Sequence, residues 1–479
     1  MSNKPAKRSK VLNFVLLGLM ALLAAMTAVV LAGTAGKGMI PAGYAIFVLI
    51  ISAAIIIISL FSFKKKAFNI VMIVISAVAC FVMIALATFT NKLNSTISDI
   101  TAKTQDVNMI KVAVLKESPY QIIGDLKGKT ISYSDSEDKT IVNRSIEEIN
   151  GKVSDVSYTA SSGLINLADE LRDGDTDAII INNASLSILD DIDAYSNFTD
   201  EIRFIYEFEI RTDVDISNDT LGDVFTIYIS GIDTYGSPSA TSRSDVNILA
   251  VVNRKSKHIQ LINTPRDAYV YLPNSGDMKD KLTHAGIYGI ETSMKTISNL
   301  YDINVDTYMR VNFTGFQEII DAIGGIDVYS DYDFTVTGGG FSYKKGMNHM
   351  NGIEALAFAR ERKAFAEGDN QRGIDQMKVI DATISKLTSS PEALTNYNSL
   401  LSGLASSMQT SVPNGTIYSL VNDQLTSSGS WKVDSYAVTG EGTYASTYSM
   451  PGTQLYVMIP DEDSIQEAKD LIQKVKNES

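Results

Sequence analysis

One cysteine, three histidines and one tryptophan in 479 residues leave the chain without several kinds of chemical equipment. The lone thiol, Cys80, sits in a long apolar run, so no disulfide can brace the rest of the chain. His258, His284 and His349 lack the ligand spacing of a zinc site. No Gly-x-Ser-x-Gly elbow and no Walker loop occurs, which removes serine-hydrolase and nucleoside-triphosphatase chemistry. There is no internal repeat, low-complexity run or wall-anchoring tail, so little supports an adhesin. Positive charge is scarce too. With 41 Lys and Arg against 55 Asp and Glu, the net charge is −14, a poor surface for nucleic acid.

Hydrophobic residues are abundant, at 45% of the chain, and they are concentrated at the front. Residues 11–32, 44–63 and 67–89 are each long enough to cross about 30 Å of hydrocarbon, and no Asp, Glu, Lys or Arg interrupts them. They predict three membrane spans. The first is too long for the apolar part of a secretion signal and two more follow it, so it is expected to stay uncleaved. Lys4, Lys7, Arg8 and Lys10 precede the first span, and Lys64, Lys65 and Lys66 fill the loop between the second and third. Both clusters belong in the cytoplasm, which puts everything from about residue 91 outside the plasma membrane. An exterior region without disulfides fits a Gram-positive type of bacterial surface.

Past the third span, 91–106 is polar and reads as a stalk or connecting helix. Strands are expected at 110–115, 130–133, 156–159, 178–182 and 203–210, with helices at 141–149 and 164–171, making 107–215 a small α/β domain. The Asp-rich stretch 212–222 reads as a linker. From 222 to 479 a larger domain opens with a strand at 224–230 and a hairpin of 246–252 and 259–263 over the turn 253–258. Helices are expected at 281–300 and 313–323, from 351 onward, and at 370–387 after a break at 367–369. The expected whole is a membrane-anchored α/β protein with a basic tail at 1–10, three transmembrane helices within 11–90, the stalk, a small α/β accessory domain and the larger domain.

In the larger domain Arg recurs beside Asp at the ends of expected elements. Arg243 accompanies Asp245 and Arg266 precedes Asp267, while Arg360 and Arg362 lead to Asp369 and Arg372; Asp233 and Lys281 join the set. Any one such pair, taken alone, is an ordinary surface ion pair worth about 0–1 kcal/mol. Their recurrence at element ends, where sites are built, favours a common ligand. Guanidinium forks bind phosphate oxygens in pairs, and two carboxylates can hold a magnesium ion that also touches phosphates, so the set suits a diphosphate. Phosphoryl transfer asks a protein for positioning, charge neutralisation and a base, all of which Asp and Arg can supply. Arg360 and Arg362 would point about 200° apart on a continuous helix, so sharing one ligand requires the helix to end there.

The ordered motifs are Gly231-Ile232-Asp233, Arg243-Ser244-Asp245, Thr264-Pro265-Arg266-Asp267, Lys281-Leu282 and Gly324-Gly325-Ile326-Asp327-Val328, then Ala359-Arg360-Glu361-Arg362 leading to Gly368-Asp369-Asn370-Gln371-Arg372 and Gln376. Over 223–387 they resemble the LytR-CpsA-Psr family of cell-wall glycopolymer transferases, and the spans and small domain resemble its capsule-associated CpsA branch. The resemblance implies an α/β/α domain with a mixed central sheet. It implies a magnesium-dependent phosphotransferase, with manganese as the substitute ion, that moves capsular polysaccharide or teichoic acid from a polyprenyl pyrophosphate carrier to a peptidoglycan sugar. Diphosphate binding is implied for Arg243, Arg266, Arg360, Arg362, Arg372, Lys281, Asp369 and Gln376, metal binding for Asp233 and Asp245, and catalysis for Asp245, Arg266, Arg360 and Arg362. Many members carry Arg just before that Gln, where this chain has Asp375, so positive charge is reduced at that edge.

A slot for the polyprenyl chain is also implied, with Ile287, Ile290, Phe313 and Phe316 as lipid-binding candidates, although apolar residues at helical spacing more often mark core. Expected partners are the lipid-linked glycopolymer, peptidoglycan, the membrane and the membrane proteins of capsule synthesis. The rival reading is a non-enzymatic membrane regulator that senses lipid-linked polymer through the outer domains and signals through the spans. Its very short cytoplasmic parts favour the enzyme.

Overall fold

The computed structural model describes residues 4–101, 105–189, 192–216, 220–232, 237–389, 404, 407–426 and 430–479. Three helices, Lys4–Gly33, Ala42–Ser62 and Lys66–Thr101, are long and apolar enough to cross a membrane. The buried residues of the second are Ser52, Ser59 and Ser62, while Ile46, Phe47, Ile50, Ile57 and Phe61 face outward and, of its isoleucines, only Ile55 and Ile56 pack in part against the other helices. In hydrocarbon, apolar contact gives helices little reason to associate, and small or hydrogen-bonding residues hold them instead. Thr27 donates to Ser52 at 3.0 Å and Asn69 to Asn13 at 2.7 Å. Of the stalk expected at 91–106, the part to Thr101 continues the third helix, while Gln105 and Asp106 already belong to the first strand of the small domain. Helix Asn414–Thr426, expected within the larger domain, belongs to this unit. Tyr418 donates to Asn94 at 2.8 Å and Thr101 to Asn414 at 2.7 Å.

The small domain is a five-stranded sheet of β1 (Gln105–Leu115), β2 (Thr130–Ser134), β3 (Ser157–Ser161), β4 (Ala178–Asn182) and β5 (Ile202–Asp213), in the order β3-β2-β4-β1-β5. β2, β3 and β4 are parallel, and helices Lys139–Asn150 and Gly163–Asp173 supply the crossovers such pairing needs. β4 is buried along its whole length, as a central strand covered on both faces should be.

The larger domain is built on a six-stranded mixed sheet. β6 (Val224–Ile232), β7 (Ser244–Asn253), β8 (His258–Asn263), β9 (Thr307–Asn312), β10 (Met408–Thr410) and β11 (Lys432–Ala437) lie in the order β10-β9-β6-β7-β8-β11. Leu249, Val251 and Ile262 meet helices Ile290–Tyr301 and Glu462–Lys476 in one continuous core. Asn263, one position on from Ile262 and so pointing to the opposite face, meets helix Asp369–Ser389, completing an α/β/α arrangement. Both sheet edges, β10 and β11, come from beyond residue 387, where the motifs stop. The helix expected over 281–300 is broken into Leu282–Ala285, a short 3₁₀ turn Gly286–Tyr288, and Ile290–Tyr301. Glycines fix the break, since a Cβ on Gly286 would fall 2.4 Å from the Ser242 carbonyl and Gly289 has φ +101°.

Candidate active site: arginines and aspartates at one end of the sheet

β7 and β8 are antiparallel with Ile248 opposite Asn263, so the start of β7 and the residues after β8 share one end of the sheet. Arg266 therefore reaches Asp245, donating to Oδ1 at 2.7 Å, and Thr283 donates to the same oxygen at 3.3 Å. Lys281 ends the short strand Lys279–Lys281 and donates to Asp267 at 3.0 Å, with Arg266 Nε 3.7 Å from that carboxylate. Arg372, in the first turn of helix Asp369–Ser389, pairs with Asp369. Gly373 lets this helix lie against the end of β8, because a Cβ there would fall 2.0 Å from the Asn263 side chain.

Arg266, Lys281 and Arg372 are all buried, and each has a carboxylate partner, which is what makes a cation tolerable at that depth. Burial pushes the Asp267 carboxyl up, but Lys281 and Arg266 outweigh it and hold the group below the usual carboxylate range. Asp369 goes the other way. Burial raises it, Arg372 offsets only part of the rise, and the negative charges of Asp267 and Asp245 add to it. Three carboxylates and three cations thus feel one another as a single cluster, with two of the carboxylates driven in opposite directions.

Arg360 and Arg362 lie outside this floor and are exposed. Helix Gly352–Arg360 ends as the shared-ligand argument requires, because Glu361 takes an extended conformation, with φ −66° and ψ 136°. Glu361, to which the sequence reading gave no role, fixes the chain between the two arginines. Its buried carboxylate accepts from the backbone of Thr337 at 2.6 Å, Arg362 at 2.9 Å and Ala364 at 3.0 Å, and from the Thr337 hydroxyl at 3.0 Å. Burial alone would raise its carboxyl, yet these donors hold it below its ordinary value. An acid wedged between two arginines was the available signal. The Arg360 guanidinium lies 4.2 Å from the centre of the Phe313 ring, and Gln376 donates to the Ala359 carbonyl at 3.2 Å, tying the two helices at this corner.

Arg243 precedes β7 and is half-buried. Asp233 lies outside the described residues, and among the described residues no three His, Cys, Asp or Glu side chains group into a metal site. Of the lipid candidates, Ile287 and Ile290 are core positions. Ile287 packs with Leu164, Leu167 and Phe198 of the small domain, and Ile290 with Leu282 and Met294. The break between Gly286 and Gly289 changes the direction of the chain between them, which the assumption of one helix could not anticipate. Phe316 is partly buried against Ile320 and Phe358.

Residues 196–471, more than half of the chain, match the LytR_cpsA_psr family. The chain belongs to the LytR-CpsA-Psr family. It is 33% identical over 196 residues to a Bacillus anthracis polyisoprenyl-teichoic acid–peptidoglycan teichoic acid transferase TagU, covering 41% of this chain and 63% of that protein. With Bacillus subtilis TagT, of the same printed activity, it is 37% identical over 174 residues, covering 34% and 53%. The chain therefore spans less than two thirds of these relatives' length. A solved structure of TagT bound to LI-WTA shares 30% identity over 53% of this chain and 90% of that one, with a TM-score of 0.43. Residues 97–199 separately resemble the family described as NMT1/THI5 like. The LytR-CpsA-Psr match extends well past the motif-bearing stretch at both ends, across β5 of the small domain and into the C-terminal helix.

Proposed function

We propose that this LytR-CpsA-Psr protein transfers a phospho-glycopolymer, capsular polysaccharide or teichoic acid, from a polyprenyl pyrophosphate carrier to a peptidoglycan hydroxyl outside the plasma membrane. The observation that supports this most is the interleaving of Arg266, Lys281 and Arg372 with Asp245, Asp267 and Asp369 at one end of the sheet. Cations already oriented by carboxylates can take up phosphate oxygens with little reorganisation as a diphosphate enters. Arg360 and Arg362 supply forks from the helix end. The hydroxyl oxygen forms a bond to the polymer-side phosphorus, the bond from that phosphorus to the oxygen of polyprenyl phosphate breaks, and the hydroxyl proton passes to a carboxylate of the cluster. Relatives named as teichoic acid transferases support the reaction class.

The donor chemistry fits magnesium, since Asp245 keeps part of its carboxylate exposed and Asp233 follows directly on β6. When bound, the ion would neutralise charge on the diphosphate. The N-terminus is assigned to the cytoplasm and the region from about residue 91 to the exterior, where capsule-synthesis membrane proteins are natural neighbours.

The test is transfer by the detergent-solubilised full chain from lipid-linked polymer to peptidoglycan fragments. Asp245→Asn and Arg266→Lys keep shape and charge class respectively, and each should cost at least about thirtyfold in turnover, because a lost partner in a desolvated charge pair is worth about 2–5 kcal/mol. Exposed ion pairs would lose less than about 1 kcal/mol. Turnover within about threefold of the parent in both variants overturns the proposal, as does the absence of any transfer by the parent.

A further inference from the structure

Among the described residues beyond the apolar helices, the most exposed aromatic ring is Tyr444, at 68%, and directly opposite it stands Tyr456, at 47%. They sit in register on the antiparallel ribbon Gly440–Ala445 and Leu455–Pro460, ring centres 6.0 Å apart and planes at 78°. Exposed aromatic area of this kind marks a surface that something covers. Gly442 keeps the flank of the ring open, because a Cβ there would fall 2.7 Å from the Tyr456 hydroxyl.

The ribbon adjoins the charged cluster. Met458 donates its backbone N–H to the Asp267 carbonyl at 2.8 Å, and Ala268 and Met458 form a parallel bridge. Tyr456 lies two residues before Met458 on the ribbon, and Arg266 lies two residues before Ala268 in the turn closed by the bond from the Ala268 N–H to the Pro265 carbonyl, so both flank the contact between Met458 and Asp267. The Tyr456 hydroxyl is pushed above its ordinary value, first by burial and then by the charges of Asp267 and Asp369, in keeping with that closeness.

We infer that Tyr444 and Tyr456 form a stacking platform for a pyranose ring of the glycan that adjoins the diphosphate. The inference rests on the transferase reading above and specifies the sugar side of that site. A sugar ring has an apolar C–H face that matches an aromatic face, while its hydroxyl edge remains in water. A prenyl chain would need an enclosing apolar trough, whereas the strand here is exposed from Glu441 to Tyr444 and offers only Gly442 beside Tyr444 on the same face. A group stacked on Tyr456 stands on the ribbon that is bonded to Asp267, and so beside the charged cluster that Asp267 shares with Arg266 and Lys281, where the first sugar of the donor or the attacking sugar of the acceptor must sit.

The test uses the detergent-solubilised full chain and three probes: polyprenyl pyrophosphate alone, the same carrier bearing its sugar, and a soluble peptidoglycan disaccharide as acceptor. Tyr444→Ala and Tyr456→Ala should bind the bare carrier within twofold of the parent. A donor sugar on the platform gives about tenfold weaker binding of the sugar-bearing carrier, about 1.4 kcal/mol. An acceptor sugar gives about a tenfold higher acceptor KM with donor binding unchanged. Tyr456→Phe should behave as the parent in both arms. If the parent is active and neither alanine variant changes either arm, the platform is wrong and the transferase reading stands. If the parent binds neither carrier, the transferase reading falls and the platform with it.

Discussion

Replacing Asp375 by Asn should stabilise the protein at neutral pH and leave it nearly unchanged in acid. Asp375 is buried, one position before Gln376 on the helix that carries Arg372. Its carboxylate accepts from Gln371 at 3.0 Å and lies 3.5 Å from Lys378, an ammonium that also pairs with Asp331. Burial is the main influence and lifts the carboxyl to about 6, with Lys378 opposing. Against about 3.9 in an unfolded chain the rise is about two units, and at about 1.36 kcal/mol per unit it amounts to about 3 kcal/mol. Because the folded pKa is the higher one, the folded state binds the proton more tightly. Stability is full below about pH 4 and is lost as pH rises through about 6. The value of about 6 already contains the opposing attraction of Lys378, and an amide keeps the Gln371 bond, so the net gain at pH 7.5 is about 2–3 kcal/mol, or a rise of about 4–6 °C in Tm. Melting curves of the full chain in detergent at pH 7.5 and 4.5 read this directly. Equal gains at both pH values, or a loss at pH 7.5, refute the reasoning.

Arg360→Lys and Arg362→Lys should each lose most transfer activity, at least about tenfold, because lysine keeps the charge but not the bidentate fork; full activity in both, measured as polymer attached to peptidoglycan, would remove the fork mechanism. A reporter inserted at Lys65 should be active only inside the cell, and one fused after Asp106 only outside; the reverse pattern would place the diphosphate site in the wrong compartment.

The readable parts of this chain were those in which local pattern and tertiary role agree. The hairpin of β7 and β8 follows from two apolar runs about a polar turn, and the end of helix Gly352–Arg360 follows from the requirement that Arg360 and Arg362 meet one ligand. The Arg-Asp motifs were legible because charged residues recur at element ends. What escaped had no local signature. β10 and β11 are short, and their place at the sheet edges depends on partners more than 90 residues away in the chain. Glu361 reads in the sequence as one more surface charge, and only the converging donors of Thr337, Arg362 and Ala364 show why it is buried. Ile287 has the spacing of a helix stripe, but the Gly286–Gly289 break delivers it into the core of the other domain.

That crossing of Ile287 bears on the small domain, which from sequence could be a spacer holding the site at a fixed height. A spacer would touch its neighbour through a linker, whereas here the hydrophobic core of the small domain includes Ile287, Met450 and Leu455 of the larger one. The start of β1 is bonded into the loop before β7. Val107 donates to the Ser239 carbonyl at 2.8 Å, Thr241 returns a bond to Val107 at 3.0 Å, and the Thr241 hydroxyl donates to Asn108 at 3.1 Å, two residues before Arg243. Asp106 accepts from Arg310 at 2.8 Å and from the backbone of Ile290, the first residue of its helix, at 2.9 Å. Asp106 and Arg310 are both buried, and removing one partner of such a pair costs about 3–5 kcal/mol because the other charge is stranded. On the far side Asp280, next to Lys281 in the chain, accepts from the backbone of Ser449 at 2.8 Å, in the same loop that sends Met450 into the small domain's core. The loop that leads to Arg243 and Asp245 and the loop behind Lys281 are therefore both braced where the two domains meet, so the small domain is part of the frame that sets the distances within the charged cluster.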